Sequence, residues 1–127
     1  MANILVTKKS REKLAKARAG IITTLPSITG IALGNGGTNE SGDPRDLTIN
    51  NTVLFNELIR RPYDSKVAVS DTCYKYIISL GATELEGKNI NEMGLYDSEG
   101  DFVALVTFSN KKKDGYMEMD FEMEDKF

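Results

Sequence analysis

The chain of 127 residues contains no histidine and no tryptophan, a single cysteine and three prolines. Without histidine, and with only Cys73 as a thiol, zinc sites of the usual Cys and His types and His-dependent catalytic triads are excluded. One cysteine also rules out an internal disulfide. Cys73 lies in a strand-like run, where a small buried apolar residue is expected rather than a reactive thiol. The lack of tryptophan removes the best platform for stacking on a sugar ring. No apolar run approaches the roughly 20 residues that a membrane helix needs, and no apolar signal-peptide core follows Met1. A soluble, initially cytosolic chain without a membrane partner is therefore expected. Sixteen basic residues against nineteen acidic ones leave a net charge of -3, too weak a field to recruit nucleic acid by itself. This length suits a single domain.

What is present divides into three parts. From Thr7 to Ala19 strong helix formers dominate and Gly20 follows as a stop, which predicts a helix. Leu14 and Ala17 form its narrow apolar stripe, ringed by Lys8, Lys9, Arg11, Lys13, Lys16 and Arg18. Residues 1–20 thus read as a helical arm and residues 21–127 as one β-rich domain. Ile28 to Leu33 reads as a strand. The stretch Gly34 to Asp46, rich in glycine, Asx and proline, reads as a loop. Asn51 is a candidate N-cap for a short helical or irregular segment ending at Pro62. Ser65 to Ser70 and Thr72 to Leu80 read as strands.

The run Ile90 to Phe108 reads as a β-hairpin around the polar turn Asp97-Ser-Glu-Gly-Asp101. Its second arm is apolar on both faces, as expected of a strand covered on both sides. Gly100 is expected at positive φ, and Gly94 at a bulge or a close backbone approach. Lys111 to Lys113 read as a solvated loop. From Tyr116 to Glu124 the pattern has a period of two. Met117, Met119, Phe121 and Met123 share one face, and Glu118, Asp120, Glu122 and Glu124 share the other. Four carboxylates about 7 Å apart suit a protected edge strand or a surface that meets a basic partner. Glu57, Arg60 and Glu92 are charges embedded in apolar runs and are expected to serve the fold, with Arg60 meeting at least one of the two glutamates.

Catalytic motifs fail on spacing. Between Gly81 and Gly87 stand five residues rather than the four of a phosphate loop, and Asn89 occupies the hydroxyl position. Gly34-Asn-Gly36 begins like a dinucleotide fingerprint but ends on Asn39. Asn35 to Asp46 offers oxygen ligands without an EF-hand pattern. No catalytic residue, metal or cofactor is expected, and the chain does not read as an enzyme.

Ile28 to Gly36, Leu54 to Arg60 and Ile90 to Ala104, in that order and after the opening helix, resemble the tail-collar fibre domain of bacteriophages and contractile tail-like particles. That resemblance implies an N-terminal attachment domain linking a tail fibre to the baseplate. Here it would stand without a shaft or receptor-binding tip, as an adaptor or baseplate component within the virion or tail-like particle. The fold expected is α+β, an N-terminal helix followed by a mostly antiparallel β-sandwich or open barrel. The partners expected are baseplate or tail-fibre proteins and further copies of the chain, with a trimer favoured. Opposite charges on the helix and the last strand favour head-to-tail contact, and loss of residues 1–19 is expected to leave a folded domain that no longer assembles. The alternative is a glycan- or receptor-binding module of a tail tip using the loop at 34–46.

Overall fold

A computed structural model describes residues 3–127 of the chain. Two antiparallel sheets and one helix make up the regular structure of these residues. The first sheet has five strands in the order β1 (Asn3–Val6), β7 (Phe102–Lys112), β6 (Asn89–Asp97), β2 (Ile28–Gly34) and β3 (Glu57–Pro62). The second has three, β4 (Ser65–Ser70), β5 (Cys73–Leu80) and β8 (Met119–Lys126), with β5 in the centre. The fold is β-rich α+β, as the alternating apolar patterns require. Among the described residues, no helix is long and apolar enough to cross a membrane.

The helix α1 (Lys8–Arg18) starts where the sequence indicates. Thr7 caps it, its hydroxyl accepting from the Ser10 amide at 3.1 Å, and Gly20 follows at φ +75°. A strand precedes it, however. β1 pairs in register with β7, and Thr7 is fully buried, its hydroxyl donating to the Phe102 carbonyl at 2.6 Å. Residues 3–6 are therefore part of the first sheet, and the helix follows directly on its edge strand. Their loss would strip an edge strand from β7.

Both faces of the five-stranded sheet are covered. On one face, Ile31, Leu33, Met93, Leu95, Ala104 and Val106 share a cluster with Ile78, Leu80, Phe121 and Met123 of the second sheet. On the other, Ala32, Tyr96, Phe102 and Leu105 pack against Leu54 and Leu47 from the long connection between β2 and β3. This explains why β6 and β7 read as continuous apolar runs: each has a covered face on either side.

Two local expectations change, at Asn51 and at Lys111 to Lys113, while β4 forms over the expected residues. No helix follows Asn51, whose side-chain oxygen instead accepts from the Thr48 amide at 2.8 Å in a turn, and the apolar run beyond it becomes β3. β4 is exposed along its whole length, with Val67 and Val69 turned outward. Lys111 and Lys112 belong to β7, while Lys113 is fully buried.

Candidate functional site

The 22-residue connection from Asn35 to Asn56 contains no helix or named strand, yet it lies against a sheet face. An irregular segment laid on a sheet this way needs partners for the backbone N–H and C=O groups that it covers. Three buried polar side chains on the sheet supply them. Glu92 accepts from Gly36 N at 2.9 Å, Phe55 N at 2.7 Å and Asn56 N at 2.8 Å. Asn91 accepts from Gly37 N at 2.7 Å and donates to the Asn35 carbonyl at 3.2 Å and to Thr38 Oγ1 at 3.1 Å. Thr107 donates to the Arg45 carbonyl at 2.7 Å. The approach is close enough to demand glycine: a Cβ on Gly37 would lie 2.4 Å from the Asn91 carbonyl oxygen. Further out, the Arg45 guanidinium stacks 3.6 Å above the Phe55 ring, and Asn39 to Asp43 are exposed.

A second polar cluster holds the β6–β7 turn. Gly100 takes φ +85°, and its amide donates to the Asp97 carbonyl at 2.9 Å. Lys13 reaches from α1 into the turn, its Nζ lying 2.7 Å from Asp97, 2.8 Å from Glu99 and 2.8 Å from Asp101. These three carboxylates approach one another closely enough to hold a cation, and the Lys13 ammonium fills that role. Burial alone would lower the Lys13 pKa, but its hydrogen bonds to Asp101, Asp97 and Glu99 outweigh that and hold it well above the usual lysine range. The same hydrogen bond holds the Asp101 carboxyl below its ordinary range. From the other side, Arg60 donates to the Gly100 carbonyl at 2.9 Å and lies over the Phe102 and Tyr96 rings at 4.6 and 4.9 Å.

The polar residues singled out from sequence therefore separate into two places. Arg60 pairs with Glu57 through two hydrogen bonds, at 2.9 and 3.1 Å. Glu92 is not part of that pair: its charge is met by backbone amides instead of a cation. Gly94 sits at a close approach, where a Cβ would fall 2.6 Å from the Phe102 ring. Lys13 and Leu14, read as interface residues, face their own domain: with Val103, Asp125 and Phe127 they line a small pocket beneath the helix. Lys8, Lys9, Arg11, Lys16 and Arg18 remain exposed. So do Glu118, Asp120, Glu122 and Glu124, although the last strand begins only at Met119, leaving Met117 half-exposed outside it.

Sequence reading missed Asn91, Thr107, Lys113 and Arg61. Lys113 donates to the Ala82 carbonyl at 2.9 Å and to the Asp114 carbonyl at 3.1 Å, closing the 81–88 connection. Arg61 meets Glu84 at 2.6 Å; the Gly81 amide and then Arg61 hold the Glu84 carboxyl below its ordinary range. Asn91 had a signal: two consecutive polar residues inside an apolar strand mark a buried polar pair. Lys113 had none, because a lysine ending a basic run looks solvated until the chain turns over it. Cys73 is buried, its Sγ 3.7 Å from Glu124, and burial pushes its thiol pKa up.

Compared with protein-family models, with curated proteins and with solved structures, the chain matches none of them.

Proposed function

We propose that this chain is a structural component of a phage or phage-tail-like particle, an attachment domain that joins tail fibre or neighbouring subunits to the baseplate. In this reading the two sheets form a sandwich or open barrel, the chain works in several copies with a trimer favoured, and the mechanism is surface burial rather than bond chemistry. The observation that carries it is the meeting of all three stretches that resemble the tail-collar fibre domain on one carboxylate. Gly36 comes from the first stretch, Phe55 and Asn56 from the second and Glu92 from the third. Residues far apart in sequence thus serve one structural device, which is what a shared fold would preserve. The step from that fold to attachment is an analogy. The contact surfaces follow from charge: five exposed cations on α1 and the exposed carboxylates along β8.

The test is co-sedimentation of the tagged chain with tail particles from an induced lysogen, beside a native mass measurement of the purified chain. Reversing Asp120, Glu122 and Glu124 to lysine should abolish both associations without altering the circular dichroism spectrum, because all three residues are exposed and the one ion pair lost, Lys75–Glu122, is a surface pair. An intact chain that stays monomeric and never travels with tails would overturn the reading.

A further inference from the structure

The two sheets are unequal, and the difference leaves a strand position open. On the core-facing side of the first sheet, Ile4, Val106, Met93 and Leu33 stand in one cross-strand row, and Val6, Ala104, Leu95 and Ile31 in the next. The residues of the three inner strands in both rows are buried. Those of β1 are not: Ile4 is 62 % exposed and Val6 41 %. The three-stranded sheet ends at β8, one strand short of covering β1. Between them runs a groove lined by Ile4, Met93, Val106, Phe108, Phe121 and Met123, with Lys111 and the carboxylates of Asp120, Glu122 and Glu124 also along it. The free edge of β8 borders this groove.

A strand added to that edge would have its chemistry set on both faces. Its inward side chains would meet Ile4, Val106 and Phe108 and must be apolar. Its outward side chains would stand beside Asp120, Glu122 and Glu124, and cross-strand neighbours of opposite charge stabilise while like charges oppose. The paired edge of β8 already follows this rule. There β5 sets Tyr76, Ile78 and Leu80 opposite Met123, Phe121 and Met119, while its outward Lys75 lies 3.4 Å from Glu122. We propose that the free edge of β8 accepts, by strand addition, an extended segment of a partner protein in which apolar residues alternate with lysine or arginine. This rests on the reading of β8 as a contact surface and specifies what lies against it. A second copy fits less well. Pairing β8 with another β8 sets two acidic rows side by side, and the other exposed edge of this sheet, β4, carries a single cation, Lys66, ahead of Val67, Ala68 and Val69.

The probe is a synthetic peptide alternating valine and lysine over the length of β8, titrated into the purified full chain and followed by fluorescence anisotropy and amide chemical shifts. One control alternates valine with glutamate; another has the composition of the probe in blocks. The alternating basic peptide should bind, shift the β8 amides, and weaken roughly tenfold when Glu122 and Glu124 are changed to lysine. Ile4→Asp, at an exposed position and so compatible with folding, should weaken it comparably while leaving the circular dichroism spectrum unchanged. Absence of binding, equal binding of the glutamate or block peptide, shifts confined to β1, or a β8 edge already protected by a second copy would each overturn the proposal. The titration needs no particle, so peptide binding without co-sedimentation would sink only the attachment reading, and co-sedimentation without peptide binding only this one.

Discussion

Replacing Glu92 tests whether one carboxylate organises the long connection. Its side chain is 1 % exposed and accepts three backbone amides from two separate parts of residues 35–56. Hydrogen bonds to a charged group contribute about 1.5–3 kcal/mol each. Three would sum to more than the protein loses, because Gly36 and Phe55 are only half-buried and Asn56 is exposed, so water can reach the freed amides. Glu92→Ala should therefore cost about 3–5 kcal/mol, roughly a fifth or more of the stability of a typical domain. Glu92→Gln keeps one carbonyl oxygen, which can serve Gly36 and Asn56, but sets its amide group against the Phe55 N–H. Its cost should be about 1.5–3 kcal/mol. Urea unfolding followed by circular dichroism gives both values. Hydrogen exchange gives the location: the amides of Gly36, Phe55 and Asn56 should lose protection in Glu92→Ala before the β6–β7 ladder does. The reasoning is refuted if the glutamine variant matches the parent within about 0.5 kcal/mol, or if those three amides stay protected in the alanine variant.

Gly100→Ala should cost about 1 kcal/mol by urea unfolding through backbone strain alone, since φ is +85° and no atom lies within 4 Å of the added methyl. Gly94→Ala should cost more, about 2–3 kcal/mol, because its Cβ would fall 2.6 Å from the buried Phe102 ring; equal costs for the two would argue against that contact. The docking of α1 should fail first in acid. Asp101 has a folded pKa below its unfolded value, so its contribution is complete above the unfolded value and fades as pH falls through the folded one, whereas that of Lys13, raised on folding, is lost only in strong alkali. Chemical shifts of α1 should move below about pH 4 ahead of global unfolding, and Lys13→Met should remove that step; a helix whose shifts hold until the sheets melt would contradict it. Burial raises the Asp125 pKa, and no lysine or arginine lies within salt-bridge distance among the described residues. The ionised form therefore weakens the fold above the folded pKa, so Asp125→Asn should raise the melting temperature slightly at neutral pH and not in acid. A gain that persists unchanged at low pH would point to packing instead of charge.

The long connection shows how polarity alone misleads. Glycine and Asx residues between Gly34 and Asp46 read correctly as a loop, since their turn chemistry is local. That the same loop lies on a sheet face and is tied down by Asn91, Glu92 and Thr107 is a matter of contacts 50 or more residues apart for Gly37 and Thr107 alike. Lys13 and Lys113 misled in the same direction. Each sits in a basic run that suggests solvent, yet one is enclosed by three carboxylates and the other by backbone carbonyls.

The sequence by itself determined the helix from its formers and caps, the Asp97–Asp101 turn from Gly100, and most strands from their period-two or doubly apolar patterns, because these depend on neighbours within a few residues. It also specified the outward carboxylates of β8, since alternation assigns faces without reference to the rest of the chain. Only the tertiary structure decided that β1 belongs to the five-stranded sheet, that the apolar run after Asn51 becomes β3, and that Val67 and Val69 face solvent. The physical reason is the same in each case: a strand is completed by its partner, and which edge is filled, which face is covered and which is left open depends on segments that meet only after the chain has folded.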